Sequence, residues 1–217
     1  MRIAVLADVH ANLPALRTVL DDAARCGCER IYCAGDLIAI GPYPAEVVDL
    51  ARGSEIRCVQ GNHEEWLARG LPPDPTPAMD DEELRHQRWT HSKLGAARRA
   101  YLRALPYAID EVLDGLRVIV VHFALDGDEG ERRFCSVDFR GTDEVIVDAF
   151  SAPPGSLVCF GHLHNRWIFR ERAGSWFLNP GTVGCGREPV ADYAVVDVER
   201  GRSSIEGRRL PYDRRAL

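Results

Sequence analysis

The first 61 residues alternate apolar segments with amphipathic ones, and this alternation restricts the fold more than any other feature of the chain. The apolar segments 2–8, 30–36 and 55–61 have the composition of buried strands. Segment 13–26 carries apolar residues at helical spacing, and segment 44–53 is a second helical segment that ends at a glycine. Strands that alternate with helices predict parallel β-α-β units with right-handed crossovers.

The rest of the chain is richer in signals for strands and turns. A Pro-rich acidic loop precedes one predicted helix over 80–105. Asp114-Gly115 predicts a hairpin, a second is expected at Ala173-Gly174, and a final hairpin follows. Thr142 is a suitable N-cap for a short helix. We therefore predict a single domain over 1–217 of the α/β (α+β) class, in which two mixed β-sheets pack as a sandwich flanked by helices.

Composition limits the classes of partner. The net charge of -6 argues against a large nucleic-acid partner, because nonspecific binding requires cations that neutralise phosphates. No apolar run approaches the roughly 20 residues of a membrane span, and the segment "MRIAVLADVH" has no signal-peptide pattern. The seven cysteines suit buried thiols in a reducing cytoplasm; a metal site at Cys26 and Cys28 would lack a partner pair. We expect a cytoplasmic monomer or homo-oligomer.

The predicted strands share one feature, which is that each ends in a side chain able to bind a metal. Taken singly, each such residue has an ordinary explanation as a cap, a turn residue or a structural histidine. We expect them together at the carboxyl end of one sheet, where α/β proteins place their sites. Caps do not require imidazoles, and structural histidines do not collect at strand ends. The residues are Asp8, His10, Asp36, Asn62, His63, His122, His162 and His164.

The chemical types of these side chains indicate the kind of metal. Aspartate, histidine and asparagine without cysteine favour a borderline divalent ion such as Mn, Fe, Co, Ni or Zn over a thiolate zinc site. The candidate ligands are too many for one ion. They suit two ions that share one carboxylate.

The same residues lie in motifs that resemble those of the calcineurin-like metallophosphoesterases. The match covers residues 3 to about 185, and the motifs stand in the family's order. The segments "DVHANLPAL", "GPYPAEVVDL" and "NPGTVG" are similar to the compact bacterial phosphodiesterase branch of this family. The family's fold, a sandwich of two mixed sheets flanked by helices, agrees with the element pattern. The matching motifs are "DVH" at 8–10, "GD" at 35–36, "GNHE" at 61–64, "VVHF" at 120–123 and "GHLH" at 161–164.

The resemblance implies a role for each residue of these motifs. His63 would bind no metal and would act on the substrate phosphate as general acid or charge stabiliser. Gly61 would permit a sharp turn, and Glu64, which replaces the family's usual Asp, would support a neighbouring ligand. Asp36 would bridge the two ions. The first ion would be held by Asp8, His10, Asp36 and His164, and the second by Asp36, Asn62, His122 and His162.

The reaction implied by this centre is the hydrolysis of a phosphoester. Two ions about 3.5–4 Å apart would bind a bridging water, and the resulting hydroxide would attack phosphorus in line. His63 would protonate the leaving alkoxide or balance its charge. We expect a phosphodiesterase with manganese as its ion and Fe, Ni, Co or Zn as alternatives. Small or cyclic nucleotides are candidate diesters, and phosphomonoesters are further candidate substrates.

Two other functions are weighed against hydrolysis of small phosphoesters. A protein-binding scaffold on the same fold, as proposed for the family's retromer subunit, would have a degraded metal site. Here His63 and the seven candidate ligands are all present. A nuclease that acts on large nucleic acids conflicts with the acidic net charge.

Three regions beside the motifs have less specific signals. Asn12 is either an N-cap or a phosphate contact. Segment 179–184 is expected to form a tight loop beside the metal centre. Segment 71–105 is either an ordinary surface helix or a cap that selects the substrate. Its candidate contacts are Arg85, His86, Arg88, Trp89 and His91, of which His91 is the expected substrate-binding residue.

Overall fold

Two mixed five-stranded sheets form the centre of the structure, a computed structural model that describes residues 1–70, 81–127, 133–135, 141–164 and 167–216. The helices in these ranges are α1 (Leu13–Arg25), α2 (Pro44–Gly53), α3 (Asn62–Arg69), α4 (Asp81–Lys93), α5 (Ala96–Arg103) and α6 (Asp143–Val147), with a 3-10 helix at Arg214–Ala216. The strands are β1 (Arg2–Leu6), β2 (Arg30–Cys33), β3 (Arg57–Cys58), β4 (Ala108–Leu113), β5 (Leu116–Val121), β6 (Leu125–Asp126), β7 (Arg133–Phe134), β8 (Ser156–Cys159), β9 (Trp167–Arg172), β10 (Ser175–Pro180), β11 (Val190–Glu199) and β12 (Arg202–Pro211).

Each large sheet has a parallel centre with antiparallel strands added at its edges. The first sheet has the order β12-β11-β1-β2-β3, in which β1, β2 and β3 are parallel. The second has the order β4-β5-β8-β10-β9, in which β5, β8 and β10 are parallel. Strands β6 and β7 form a small separate pair. The parallel β1, α1, β2, α2, β3 succession is the one that the sequence predicts.

The alternation of side chains along β1 explains how the layers pack. Ile3 and Val5 point into a cluster between the two sheets, whereas Ala4 and Leu6 point into a cluster shared with α1, α2 and α5. Because successive strand residues face opposite sides, a strand covered on both faces is apolar throughout. A third cluster lies between the second sheet and α6. The result is a sandwich of two mixed sheets with helices outside, which confirms the predicted fold class.

The three predicted hairpins are confirmed, and their turns share one backbone conformation. Asp114 and Gly115 join β4 to β5, Ala173 and Gly174 join β9 to β10, and Arg200 and Gly201 join β11 to β12. All six residues have positive φ, which is the requirement of the type I′ turns that fit the twist of paired strands. None of the described helices has both the length and the apolar character needed to cross a membrane.

The region after residue 80 differs from its prediction. The sequence predicts one helix over 80–105, whereas the structure has α4 and α5 with a break at Leu94 and Gly95. Gly95 is extended, with φ -65° and ψ 168°, and Leu94 is buried in the cluster beneath the helices. Trp89, one of the candidate substrate contacts, is 37% exposed. The first part of the predicted cap, residues 71–80, lies outside the described residues.

Candidate metal centre

The candidate ligands lie at the carboxyl ends of parallel strands in both sheets. The prediction that they share one sheet is wrong, because β5 and β8 belong to the second sheet. The sandwich brings the ends of β1, β2 and β3 next to the ends of β5 and β8. The first sheet contributes Asp8, His10, Asp36 and Asn62, and the second contributes His122, His162 and His164.

Asp8, His10, Asp36 and His164 form the first ligand group, in which one donor atom of each lies within 4.8 Å of the others. The Nε2 atoms of His10 and His164 are 2.9 Å apart, and Asp8 Oδ1 lies 3.6 Å from His164 Nε2. Burial lowers the pKa of His10 and of His164 below the ordinary value. Both rings are therefore neutral at neutral pH, and unprotonated ring nitrogens beside carboxylates fit a divalent cation.

Asp36, His122 and His162 form the second ligand group, with Asn62 adjoining it. His122 Nε2 lies 3.0 Å from Asn62 Oδ1 and 3.1 Å from His162 Nδ1, and Asn62 Oδ1 lies 3.0 Å from His162 Nδ1. His122 Nδ1 donates a hydrogen bond of 2.7 Å to the Ala34 carbonyl, which directs Nε2 toward the group. Burial and the charge of His122 lower the pKa of His162 to about 3, so its ring is neutral.

Asp36 belongs to both ligand groups. Its Oδ2 lies 3.8 Å from His10 Nε2 in the first group and 3.3 Å from His122 Nε2 in the second. Burial opposes its ionisation, but the imidazole charges of His122 and His63 hold the pKa of Asp36 well below the usual range. An ionised carboxylate within reach of both ligand groups has the position that a bridging ligand requires.

Two other groups of the centre hold protons that a cation would displace. Burial, followed by the charge of Asp36, raises the pKa of Asp8 to about 8. Burial acts to lower the pKa of His122, but the carboxylate of Asp36 outweighs it and raises this pKa to about 9. Metal binding at such ligands releases protons, so the affinity for a cation should increase with pH.

The backbone at five ligands has a conformation that residues other than glycine avoid. The φ angle is positive at each, from +34° at His164 to +71° at His162. Such left-handed residues cost about 1–3 kcal/mol each and collect at functional sites, where the surrounding structure holds them. The N–H of His162, for example, donates to both carboxylate oxygens of Asp8 at 3.0 and 3.1 Å. The five ligands are Asp8, His10, Asp36, His162 and His164.

Gly61 and Glu64 have roles that are set by their distance from Asp36. Gly61 is extended, with φ -97° and ψ -176°, so the expected sharp turn is not the reason for glycine. A Cβ there would lie 2.1 Å from Asp36 Oδ1, and this close approach excludes any side chain. Glu64 is fully buried and accepts hydrogen bonds of 2.8–3.2 Å from the N–H groups of Gly61, Asp36, Leu37 and Ile38. Glu64 thus holds the backbone of Asp36 in place.

His63 lies beside the ligand groups in the first turn of α3. Its Nε2 is 3.9 Å from Asp36 Oδ2, and its Nδ1 is 2.6 Å from Nε2 of Gln87 on α4. Donation from the Gln87 amide leaves the proton of a neutral His63 ring on Nε2, the nitrogen that faces the site. Gln87 is 1% exposed. Its role is not predictable from the sequence, because a single glutamine in a polar helix has no distinguishing pattern.

The two predicted substrate-binding residues, Asn12 and His91, differ in their hydrogen bonding. Asn12 is the N-cap of α1: its Oδ1 accepts from the Ala15 N–H, and its Nδ2 donates to the Gly184 carbonyl and to the Tyr212 hydroxyl. Both amide hydrogens are in use, so the N-cap alternative explains this residue and the geometry does not favour a phosphate contact. His91 lies on α4, and its buried Nε2 makes no hydrogen bond to the described residues.

Residues 181–184 form a loop that is hydrogen-bonded to the end of β1 beside Asp8, whereas Asn179 and Pro180, predicted to belong to this loop, are the last residues of β10. Thr182 Oγ1 and the Gly184 N–H both donate to the Asp8 carbonyl, at 2.8 and 2.9 Å. The loop leads directly to Cys185, whose thiol forms a group with His10 and His164 in which the donor atoms all lie within 4.8 Å of one another. No cysteine is among the predicted ligands, because the approach of this loop depends on tertiary packing.

Comparisons with known proteins agree with this geometry. Residues 1–201 match the family model described as the calcineurin-like phosphoesterase superfamily domain. An uncharacterized protein of Methanocaldococcus jannaschii is 28% identical over an alignment of 228 positions that covers 97% of this chain and 88% of that protein. A metallophosphoesterase crystal structure from Sphaerobacter thermophilus is 28% identical, with a TM-score of 0.66 over 98% of this chain and 89% of that one. A hypothetical protein of Pyrococcus horikoshii, 19% identical, shares the fold with a TM-score of 0.79 over 99% of this chain and 90% of that one.

Proposed function

The chain belongs to the calcineurin-like phosphoesterase superfamily, and on this premise we propose that it is a metal-dependent phosphodiesterase. The observation that carries the proposal is the position of Asp36 between two ligand groups, with His63 beside both. Two divalent ions would supply Lewis-acid chemistry there, in which a bound water becomes a stronger nucleophile and the charge of a phosphate is offset. A scaffold would have no use for buried imidazoles that converge on a shared carboxylate.

The side chains of the centre would have two roles: most would bind an ion, and one would donate a proton. Asp8, His10, Asp36 and His164 would hold one ion, and Asp36, Asn62, His122 and His162 the other. Asn62 is a neutral ligand and adds no negative charge to the second site. His63 carries its proton on Nε2 toward the site and would donate it to the departing alkoxide.

The substrate proposed is a small phosphodiester, such as a short or cyclic nucleotide, with phosphomonoesters as secondary substrates. The net charge of -6 disfavours a long polyanion. Helix α4 places two further imidazoles, those of His86 and His91, near His63. Burial lowers the pKa of both rings, and the charge of His63 lowers it further. Manganese is the ion proposed for ligands that are oxygen and nitrogen alone.

Removal of the ions tests the proposed function directly. Chelation is expected to abolish hydrolysis of an aryl phosphodiester, and addition of Mn, Co, Ni or Zn is expected to restore it with at least one ion. Because Asp8 and His122 must lose protons, the measured metal affinity should increase between about pH 7 and pH 9. Initial rates on aryl diesters and monoesters measure the preference. Failure to hydrolyse either class with every ion would contradict the proposal and favour a scaffold.

Replacement of His91 tests the substrate-selecting role of α4. His91→Ala is expected to raise KM for the diester about tenfold with a smaller change in kcat, since a hydrogen bond to a charged group contributes about 1.5 kcal/mol. Ser92→Ala is the matched control, because Ser92 is exposed on the same helix and is not among the candidate contacts. Steady-state kinetics on several diesters would show the difference. Equal kinetic constants for the wild type and His91→Ala on every substrate would contradict this role.

A further inference from the structure

Cys185 lies beside the first ligand group. The donor atoms of Cys185, His10 and His164 are all within 4.8 Å of one another. In a tetrahedral zinc site, bonds of about 2.1 Å to nitrogen and 2.3 Å to sulfur place two donors about 3.6 Å apart. Side-chain rotation that brings the three donors about 1 Å closer together would let one ion contact all of them.

The backbone holds Cys185 in this position through the first strand. Its N–H donates to Thr182 Oγ1 at 3.0 Å, and this hydroxyl donates in turn to the Asp8 carbonyl. A Cβ at the preceding Gly184 would lie 1.9 Å from the Val9 carbonyl oxygen, so the loop is packed directly against the backbone that carries Asp8. The distance from Cys185 to the first ligand group is thus set by the same contacts that position a ligand.

The charges around Cys185 are those of a cation site. Burial, followed by the carboxylates of Asp8 and Asp36, raises the pKa of the Cys185 thiol to about 11. A divalent cation among these carboxylates would reverse the local field and favour the thiolate, which is the form that binds metals. Three other cysteines, at 33, 58 and 159, are buried in the apolar clusters instead.

We propose that Cys185 is a thiolate ligand of the first ion, so that this site selects zinc or cobalt over manganese. On binding, the thiol releases its proton to solvent and the sulfur donates an electron pair to the ion. Soft sulfur ligands favour zinc and disfavour manganese, which prefers oxygen. This inference rests on the proposed function, because it concerns the ion held by Asp8, His10 and His164. A Cys185 ligand changes the metal expected at the first site, whereas the second site keeps oxygen and nitrogen ligands.

Cobalt and zinc titrations of the wild type, Cys185→Ser and Cys26→Ser test this assignment. The wild type and Cys26→Ser should show a sulfur-to-cobalt charge-transfer band in the near ultraviolet, which Cys185→Ser lacks while it still binds two ions. The ratio of zinc to manganese affinity should decrease at least about tenfold in Cys185→Ser. Loss of a group that only supports a metal ligand already lowers metal affinity by about tenfold, and loss of a ligand should have at least this effect. Cys26 is the control because it packs at the edge of the apolar cluster around α1.

X-ray absorption at the zinc edge of the wild type needs no variant and should show a sulfur neighbour at about 2.3 Å. Two bound ions with nitrogen and oxygen neighbours alone, and an unchanged spectrum in Cys185→Ser, would overturn the role of Cys185 but leave the proposed function intact. Absence of any metal binding to the wild type would overturn both. The two failures are therefore distinguished by the metal content of the wild-type protein.

Discussion

Asp36→Asn is expected to reduce the rate of phosphodiester hydrolysis at least about a thousandfold, equivalent to about 4 kcal/mol of transition-state stabilisation. The side chain contributes to both ligand groups, so its charge is lost from both sites at once. An amide also presents a nitrogen with protons where one of the two groups requires an anionic oxygen. The measurement combines kcat with metal content by elemental analysis, and both should decrease together.

The contacts around Asp36 make asparagine the appropriate replacement. The Asp36 N–H donates to Glu64, and Asp36 Oδ1 accepts from the His63 N–H at 3.1 Å, which the amide oxygen of asparagine can still do. The local backbone should therefore be kept, and circular dichroism in the presence of chelator should match that of the wild type. Asp49→Asn is the control, because this exposed carboxylate pairs with Arg98 at the surface. Two tightly bound ions and a normal rate in Asp36→Asn would refute the bridging role.

His63→Ala is expected to lower kcat by about 10²–10⁴, the range for loss of a general acid or base, with little change in metal content. His63 belongs to neither ligand group, although its Nε2 lies 3.9 Å from Asp36 Oδ2. The loss should be larger for an alkyl ester than for an aryl ester, because a poor leaving group depends more on protonation. Rates for leaving groups of graded acidity measure this difference. Equal losses across the series would exclude proton donation and leave charge stabilisation as the role of His63.

Gln87→Leu is the companion variant for His63, because it removes the amide that lies 2.6 Å from His63 Nδ1 and adds no charge. Gln87→Leu should lower kcat less than His63→Ala does. The double variant should have the kcat of His63→Ala alone, since the effects of residues that act through one another are not additive. The side chain of Gln87→Glu can accept a hydrogen bond from His63 Nδ1 but cannot donate one. This variant therefore separates the orientation of the His63 ring from the choice of its tautomer.

The fold and most of the metal centre are predictable from the sequence because both depend on local pattern. The apolar strand at 2–8 and the polar residues after it are adjacent in the chain, so the position of Asp8 at a strand end requires no knowledge of packing. The wrong assignment of all strand ends to one sheet arises because side-chain period does not show which sheet a strand joins. The break at Gly95 is missed for a similar reason, since a single glycine is tolerated within a helical pattern.

The residues that sequence analysis misses are those brought to the centre by long-range contacts. Gln87 reaches His63 only because α4 packs near α3, and Cys185 reaches His10 only because its loop binds the backbone of Asp8. Glycine is likewise required at position 61 because the backbone there lies against Asp36, and not because the chain turns there. Positions of this kind have ordinary sequence signals, and their importance depends on atoms that are distant in the chain.

The division of the candidate ligands between the two sheets means that bound ions would also link the two layers. Each ligand group joins both layers: His164 completes the first with Asp8 and His10, and His122 with His162 completes the second around Asp36. An ion present at 1,000 times its dissociation constant adds about 4.1 kcal/mol to the stability of the state that binds it. Bound ions would therefore resist separation of the layers, and their removal would weaken the sandwich at the carboxyl ends of its parallel strands.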